Sequence, residues 1–111
     1  MSNNFEYFFI EKVVSTNLEI KEIYEAKSSK NLIALLSNIQ LNGKGRSKNK
    51  WVSNPGDFTA SYLLNEHFSI ISLGQLNIVS SLAILKAIRC IYKNIVFKLK
   101  WPNDIVVDDK K

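Results

Sequence analysis

Apolar positions in the first half of the chain fall into two short runs separated by a helical pattern. The β-branched and aromatic run from Tyr7 to Val14 predicts a strand, and the apolar run from Asn31 to Ile39 predicts a central strand flanked on both faces. Between them, apolar residues at helical spacing from Leu18 onward predict a helix that ends near Ser28 and Ser29.

The second half of the chain also contains short apolar runs and one helical pattern. A turn at Pro55-Gly56 leads into a strand that ends near Leu64. The stretch from Leu73 to Lys93 is apolar except on one narrow face, which predicts a buried helix lying along a sheet. The short apolar runs from Ile95 to Leu99 and from Ile105 to Val107 predict two further strands.

Length and composition indicate one globular domain at most. The chain has 111 residues, of which 46% are hydrophobic and 23% charged, and its net charge of +5 suits a nucleotide, an acidic protein or a nucleic acid equally. Cys90 is the single cysteine, so no disulfide can form within the chain, and a reducing cytoplasm is the natural location. Its apolar surroundings predict a small core residue.

The chain shows no sign of export or of membrane insertion. Residues 1–6 lack a basic leader and an apolar core, and we expect no segment of membrane-spanning length. The single histidine, His67, has no carboxylate or cysteine at ligand spacing and is predicted to lie on the surface. Zinc, serine-hydrolase and dinucleotide-binding patterns are missing from the sequence. These patterns predict a soluble intracellular protein.

The corner between the last two predicted strands carries unusual polar groups. Trp101 and Pro102 interrupt the apolar pattern, and Asn103 and Asp104 place an amide and a carboxylate at a strand end, where α+β folds commonly hold ligands. A plain turn explains these residues equally well, since Pro-Asn-Asp is good turn chemistry.

Two other polar segments invite a functional interpretation. The hydroxyls of Ser15 and Thr16 are candidate N-caps for the first helix, with Glu19 near its positive end. The segment from Gln40 to Trp51 holds two glycines and four cations in twelve residues, a composition that suits phosphate or carboxylate oxygens. A solvated hairpin loop or a nucleic-acid patch has the same composition, and the spacing excludes a Walker-type phosphate loop.

In combination, these segments resemble biotin protein ligases. The stretch Lys100 to Asp104, followed by an apolar strand and Lys110-Lys111, is similar to the family's Lys-Trp-Pro-Asn-Asp segment, and Ser15 to Asn17 is similar to its Ser-Thr-Asn triplet. The basic loop resembles the family's Gly-Arg-Gly-Arg-Arg-Gly-Arg-x-Trp loop preceded by Gln. Its matching positions are Gln40, Gly43, Gly45, Arg46 and Trp51, and its departures are Lys44, Ser47, Lys48 and Asn49.

The resemblance implies the first half of a biotin ligase catalytic domain over residues 1–111, without an amino-terminal DNA-binding domain. The expected fold is α+β, a mixed β-sheet with flanking helices related to class II aminoacyl-tRNA synthetases. The implied reaction activates biotin with ATP to biotinyl-5'-AMP and transfers biotin to a lysine of the biotin carboxyl carrier protein of acetyl-CoA carboxylase. Neither a membrane nor DNA is an expected partner, and a homodimer is compatible with the sequence.

The resemblance also implies roles for individual residues. The implied biotin-binding residues are Ser15, Thr16, Asn17, Gln40, Gly43, Lys44, Gly45, Arg46 and Lys111. The implied ATP-binding residues are Arg46, Trp51, Asn103, Asp104 and Lys111. Lys111, Arg46 and Asp104 are the expected catalytic residues: Lys111 would bridge the biotin carboxylate and the α-phosphate, and Asp104 would order Lys111 or position Mg²⁺. We expect Trp101 to pack, whereas Trp51 either packs or stacks on adenine.

Two alternatives remain at the level of the sequence. Lipoate ligases share the fold and the adenylation chemistry, although their Arg-Arg-x-Ser-Gly-Gly-Gly motif is missing from this chain. An RNA-binding module would use the same basic loop and would bind oligonucleotides in a salt-sensitive manner without ATP.

The family continues beyond the position equivalent to Lys111 with strands that complete the pocket. We therefore expect the 111-residue chain to be incomplete at its C-terminus, with Ile105 to Val107 as an edge and with Lys111 frayed and partly neutralised by its own α-carboxylate. Such a chain would associate or aggregate and transfer little biotin.

Overall fold

The structure is a computed structural model that describes residues 5–27, 32–64 and 66–111. The chain forms two compact units, Met1–Glu66 and His67–Lys111, which we describe one at a time.

The first unit is built on a three-stranded mixed sheet. Its elements are β1 (Phe5–Val13), α1 (Thr16–Lys27), β2 (Leu32–Gln40), β3 (Gly43–Lys44), β4 (Lys50–Trp51) and β5 (Thr59–Leu63). β2 lies in the centre, parallel to β1 and antiparallel to β5, and β3 and β4 form a separate antiparallel pair. The parallel pair requires a crossover, which α1 supplies. The predicted strand-helix-strand order and the α+β class are confirmed.

The core of the first unit lies where α1 packs on the sheet. Ile33, Ala34 and Leu35 of β2 are fully buried, so this strand is covered on both of its faces, as its continuous apolar run predicts. Ile20 of α1 joins Ile33 and Leu35 in one cluster, and partly buried side chains of β1, α1 and β5 surround it. This packing holds α1 against the sheet.

The second unit contains α2 (Ile70–Ile91), β6 (Lys98–Lys100) and β7 (Asp104–Val106). Ser69 caps α2 by accepting a hydrogen bond from the backbone N–H of Ser72. Arg89 donates from Nη2 to the carbonyl oxygen of Phe97 at 2.6 Å, which ties the end of the helix to the segment before β6. β6 and β7 form an antiparallel hairpin.

The structure corrects the prediction that the long helix is buried. Only Ser81 and Leu85 of α2 are buried, whereas Ile70, Ile84 and Ile91 are at least half exposed. The physical reason is that a hairpin of two three-residue strands is too small to cover a helix that is apolar around most of its circumference.

Two further expectations fail on the same helix. Cys90 is exposed and is therefore not a core residue. The expectation that no segment reaches membrane-spanning length is also wrong, because α2 has 22 residues with a mean hydropathy of 1.5 and is long and apolar enough to cross a bilayer. A core helix of a soluble protein can have the same length and composition.

The hairpin after α2 begins later than its apolar run predicts. The run from Ile95 to Leu99 was expected to be a strand, yet pairing starts at Lys98 and includes Lys100, which faces Asp104. The Trp101–Pro102 peptide bond in the turn is cis. Trp101 is 73% exposed, so the prediction that it packs is wrong. Two strands of three residues are too short to cover an indole in the turn that joins them.

Candidate functional site

The site lies where the carboxyl ends of β1 and β2 meet the first turn of α1. Backbone hydrogen bonds continue past the ends of the two strands: Leu41 donates to the carbonyl oxygen of Val13, and Asn42 donates to that of Val14, both at 2.9 Å. These bonds hold the chain after β2 beside the chain that enters α1. Thr16, the first residue of α1, thereby lies next to Gln40, the last residue of β2.

The side chain of Gln40 caps the helix. Its Oε1 accepts hydrogen bonds from the backbone N–H of Thr16 at 2.9 Å and from the Thr16 hydroxyl at 3.2 Å. The first N–H groups of a helix have no partner inside the helix, so an acceptor is needed at this position. The sequence predicted that the Ser15 or Thr16 hydroxyl would cap α1, but the Thr16 N–H is satisfied by a residue 24 positions later.

Ser61 of β5 extends this arrangement into a network. Its hydroxyl donates to the Thr16 hydroxyl at 2.8 Å and also contacts the side-chain carbonyl oxygen of Asn17. Ser61 is 7% exposed and Thr16 is 4% exposed, so both polar groups are buried and both have partners. Gln40, Thr16, Ser61 and Asn17 therefore form one continuous set of polar side chains.

This network forms one side of a cavity of about 370 Å³. The residues that line the cavity are Ser15, Thr16, Asn17, Leu18, Gln40, Lys44, Trp51, Phe58, Thr59, Ala60 and Ser61. Polar hydroxyl and amide groups thus share the cavity with an indole, a phenyl ring and aliphatic side chains. A concave site with a few convergent polar groups among apolar side chains is typical of small-molecule binding.

The basic loop begins with a close approach of two backbones. Gly43 pairs with Trp51 across β3 and β4. A Cβ atom placed on Gly43 would lie 2.9 Å from the carbonyl oxygen of Trp51 and 3.2 Å from Nε2 of Gln40. Only glycine fits here, because the side chain of a larger residue would collide with the backbone of β4 and with the Gln40 amide that caps α1.

The cations of the loop do not all reach the cavity. Lys44 lines it, whereas Arg46 is exposed and lies outside the set of lining residues. Ser47 and Lys48 adopt positive φ angles of 53° and 65°. Lys48 occupies the position at which the loop of biotin protein ligases, which this segment resembles, has a glycine. Its left-handed backbone is the conformation that glycine adopts without steric cost.

The second unit brings Lys111 and Asp104 together. Nζ of Lys111 lies 2.6 Å from Oδ1 of Asp104, with the lysine side chain 56% exposed and the carboxylate 28% exposed. A pair this exposed contributes little to stability, so its main effect is to orient the ammonium group. Asp108 and Asp109, with φ angles of 52° and 61°, form the tight turn that returns Lys110 to Val107.

The remaining predicted positions of the second unit are exposed. Asn103 lies in the turn between β6 and β7 and is open to solvent.

Within residues 5–27, 32–64 and 66–111, no group of three or more histidine, cysteine or acidic side chains has the arrangement of a metal site. Proteins usually hold magnesium through one or two carboxylates together with the phosphates of a nucleotide. In the second unit, Asp104 is the carboxylate that would take this role.

Ser61 is a site residue that the sequence interpretation missed. In β5, Ser61 is buried and the next residue, Tyr62, is exposed, so Ser61 occupies an inward position of a strand beside an apolar core. A hydroxyl at such a position needs a hydrogen-bond partner, and that requirement is the signal that could have identified it.

The chain matches the family model described as the Biotin/lipoate A/B protein ligase family over residues 10–111. It is 33% identical over 100 residues to a biotin–protein ligase of Schizosaccharomyces pombe, a match that covers 84% of this chain and 16% of that protein. It is 38% identical over 82 residues to biotin–protein ligase 2 of Arabidopsis thaliana, which covers 68% of this chain and 24% of that protein.

Solved structures show the same similarity in three dimensions. The biotin protein ligase from Aquifex aeolicus in complex with biotin and ATP aligns with a TM-score of 0.74 at 32% identity, over 95% of this chain and 43% of that chain. The Leishmania major biotin protein ligase in complex with biotinyl-5-AMP aligns with a TM-score of 0.76 at 19% identity, over 93% and 47%, which shows the fold alone. The chain therefore spans less than half the length of these relatives.

Replacing Gly43 with alanine should destabilise the first unit. We expect Gly43→Ala to lower the free energy of unfolding by about 1–3 kcal/mol, the range for an added methyl group in a tightly packed site. Chemical denaturation followed by circular dichroism measures the change. Gly74→Ala is the matched control, since a Cβ there has no neighbour within 4 Å and alanine favours a helix. A loss at Gly43 no larger than at Gly74 would contradict the close approach.

Replacing Lys48 with glycine should stabilise the chain. The left-handed backbone costs an L-residue about 1–2 kcal/mol, and the added chain entropy of glycine takes back about 0.5–1 kcal/mol, so a net gain of about 0.5–1 kcal/mol is expected. The same denaturation measurement tests it against Lys50→Gly, a change in β4 that should destabilise. Equal losses in both variants would show that the φ of Lys48 carries no cost.

Proposed function

We propose that this chain, which belongs to the biotin/lipoate A/B protein ligase family, binds biotin and takes part in its activation by ATP. The reaction joins the biotin carboxylate to the α-phosphate of ATP, giving biotinyl-5'-AMP and pyrophosphate. A lysine of a biotin carboxyl carrier protein, that of acetyl-CoA carboxylase, then takes the biotinyl group. The chain acts in the cytoplasm.

The polar network beside the cavity is the observation that supports this proposal most directly. A ureido ring has two N–H donors and one carbonyl acceptor, and its recognition requires paired hydroxyl and amide groups in an apolar pocket. Thr16, Asn17 and Gln40 supply such groups at the cavity, alongside Trp51 and Phe58. We assign the ureido ring to this network, together with Ser15, Gly43 and Gly45.

Positive charge is the second requirement of the reaction. An anionic carboxylate approaches an anionic phosphate only if cations reduce their repulsion. We assign Lys111 to the carboxylate and the α-phosphate, and the Asp104 carboxylate 2.6 Å away supports this by orienting its ammonium group. Lys44 at the cavity and the exposed Arg46 are the loop cations assigned to the carboxylate and the adenylate.

Nucleotide contacts complete the proposal. Asn103 and Asp104 follow β6, and we assign them to ATP, with Asp104 as the carboxylate that would hold magnesium. The ion would supply charge neutralisation on the phosphates. Trp51, 49% exposed at the cavity, presents an indole face on which adenine can stack.

Calorimetry with the 111-residue chain tests the proposed function. We expect biotin to bind and lipoate, at equal concentration, to bind at least tenfold more weakly, because lipoate lacks the ureido group that the network is assigned to recognise. A chain that binds lipoate as tightly as biotin would contradict the ureido assignment. Binding of oligonucleotides in low salt without any binding of biotin would favour the basic loop as an RNA-binding surface.

Replacing Lys111 with alanine should suppress adenylate formation. Removal of one preorganised electrostatic contact lowers the rate of the chemical step about a hundredfold or more. Biotin-dependent pyrophosphate release measures this step, with biotin affinity measured in parallel. Lys110→Ala is the matched control, because it removes a neighbouring cation from the turn that positions Lys111. If the Lys111 variant releases pyrophosphate as fast as the Lys110 variant, the assignment is wrong.

A further inference from the structure

The donor and acceptor pattern of the network depends on Ser61, to which the family resemblance gives no role. Its hydroxyl has a single proton and two acceptors within reach, Oγ1 of Thr16 and Oδ1 of Asn17. The Thr16 hydroxyl directs its own proton to Oε1 of Gln40. The single proton of Ser61 is therefore shared between the Thr16 oxygen and the Asn17 carbonyl oxygen, and it is the donor that Oδ1 of Asn17 faces.

The orientation of the Asn17 amide follows from this contact. The oxygen and nitrogen of a carboxamide lie on opposite sides of the group, so turning Oδ1 toward Ser61 turns Nδ2, with its two N–H donors, away from Ser61. Asn17 and Ser61 both line the cavity. Asn17 is exposed, so packing alone does not select one of its two amide orientations.

Thr16 is polarised by the same arrangement. Its hydroxyl donates to Gln40 and accepts from Ser61, which uses its proton and one of its two lone pairs. The second lone pair remains as an acceptor. The network thus combines N–H donors on Asn17 with an acceptor on Thr16, and this pair matches a ligand group that has a carbonyl oxygen next to an N–H.

We propose that Ser61 is a specificity-determining positioning residue, which fixes the Asn17 amide so that the cavity selects a ureido carbonyl over a donor-only isostere. This inference rests on the proposed function, since biotin is the ureido ligand assigned to the cavity. Ser61 acts through Asn17 and Thr16 rather than through a contact to the ligand. Without its hydroxyl, the Asn17 amide rotates and presents either its oxygen or its nitrogen.

The test compares biotin with 2-iminobiotin, in which a protonated imine replaces the ureido carbonyl and turns the acceptor into a donor. Calorimetry with the 111-residue chain measures both dissociation constants and their ratio. We expect the wild-type chain to prefer biotin, and Ser61→Ala to reduce this preference about tenfold, the effect of fixing one hydrogen bond. Ser61→Thr keeps the hydroxyl and should restore the preference.

Ser37→Ala is the matched control. Ser37 is 3% exposed in the same sheet, and its hydroxyl donates to the carbonyl oxygen of Ile39 at 3.0 Å, so the same atom is removed from a purely structural site. A structural effect would weaken both ligands equally and leave their ratio unchanged. If Ser61→Ala weakens both ligands equally, as the control is expected to do, Ser61 is structural and the inference is overturned.

A second measurement needs no ligand. In a ¹⁵N-resolved NMR spectrum, the side-chain amide of Asn17 should give one sharp pair of signals in the wild type and exchange-broadened or doubled signals in Ser61→Ala. A wild-type chain that binds neither ligand would contradict the proposed function, and the NMR result would still decide whether Ser61 fixes Asn17. Biotin binding with an unchanged ratio and unchanged Asn17 signals would refute the role of Ser61 alone.

Discussion

The N–H at the start of α1 needs an acceptor, and the way this need is met determines the site. The acceptor is Oε1 of Gln40, which also accepts a hydrogen bond from the Thr16 hydroxyl. Parallel pairing of β1 with β2 ends both strands at the same edge of the sheet, so a side chain at the end of β2 can reach the helix that follows β1. A requirement of helix formation thus assembles a polar cluster at a strand edge.

The same constraint explains why β3 begins with a glycine. The amide of Gln40 can cap α1 only if the chain after it leaves room, and Gly43 lies against both Nε2 of Gln40 and the backbone of Trp51. A side chain at position 43 would compete with the capping amide for space. Capping of the helix, closure of the β3–β4 pair and the placement of Trp51 at the cavity therefore depend on one another.

Sequence patterns predicted the first unit well because its signals are local. The continuous apolar run of β2 correctly indicated a central strand, and the start of the helix after Ser15 was placed to within a turn. The predicted end of this helix, near Ser28 and Ser29, lies outside the described residues. The second unit was harder, since periodicity shows that a helix is apolar without showing what covers it. α2 and Cys90 were thus predicted to be buried but are largely exposed. The start of β6 was misplaced because the segment before it contains buried apolar residues such as Phe97, and such a segment has the same apolar pattern as a strand.

For the site, too, local sequence patterns predicted which residues take part, whereas the hydrogen bonds between distant residues could be seen only in the structure. Motif resemblance selected Thr16, Asn17 and Gln40, which the structure brings together with Ser61 across as many as 45 sequence positions. A motif records which residue types occur, but the direction of each hydrogen bond depends on which proton is available after the helix has taken Gln40. Ser61 supplies the only hydroxyl proton among these four side chains that the helix cap leaves uncommitted. The polarity of the cavity is therefore a property of the folded network, and no single segment of the sequence contains it.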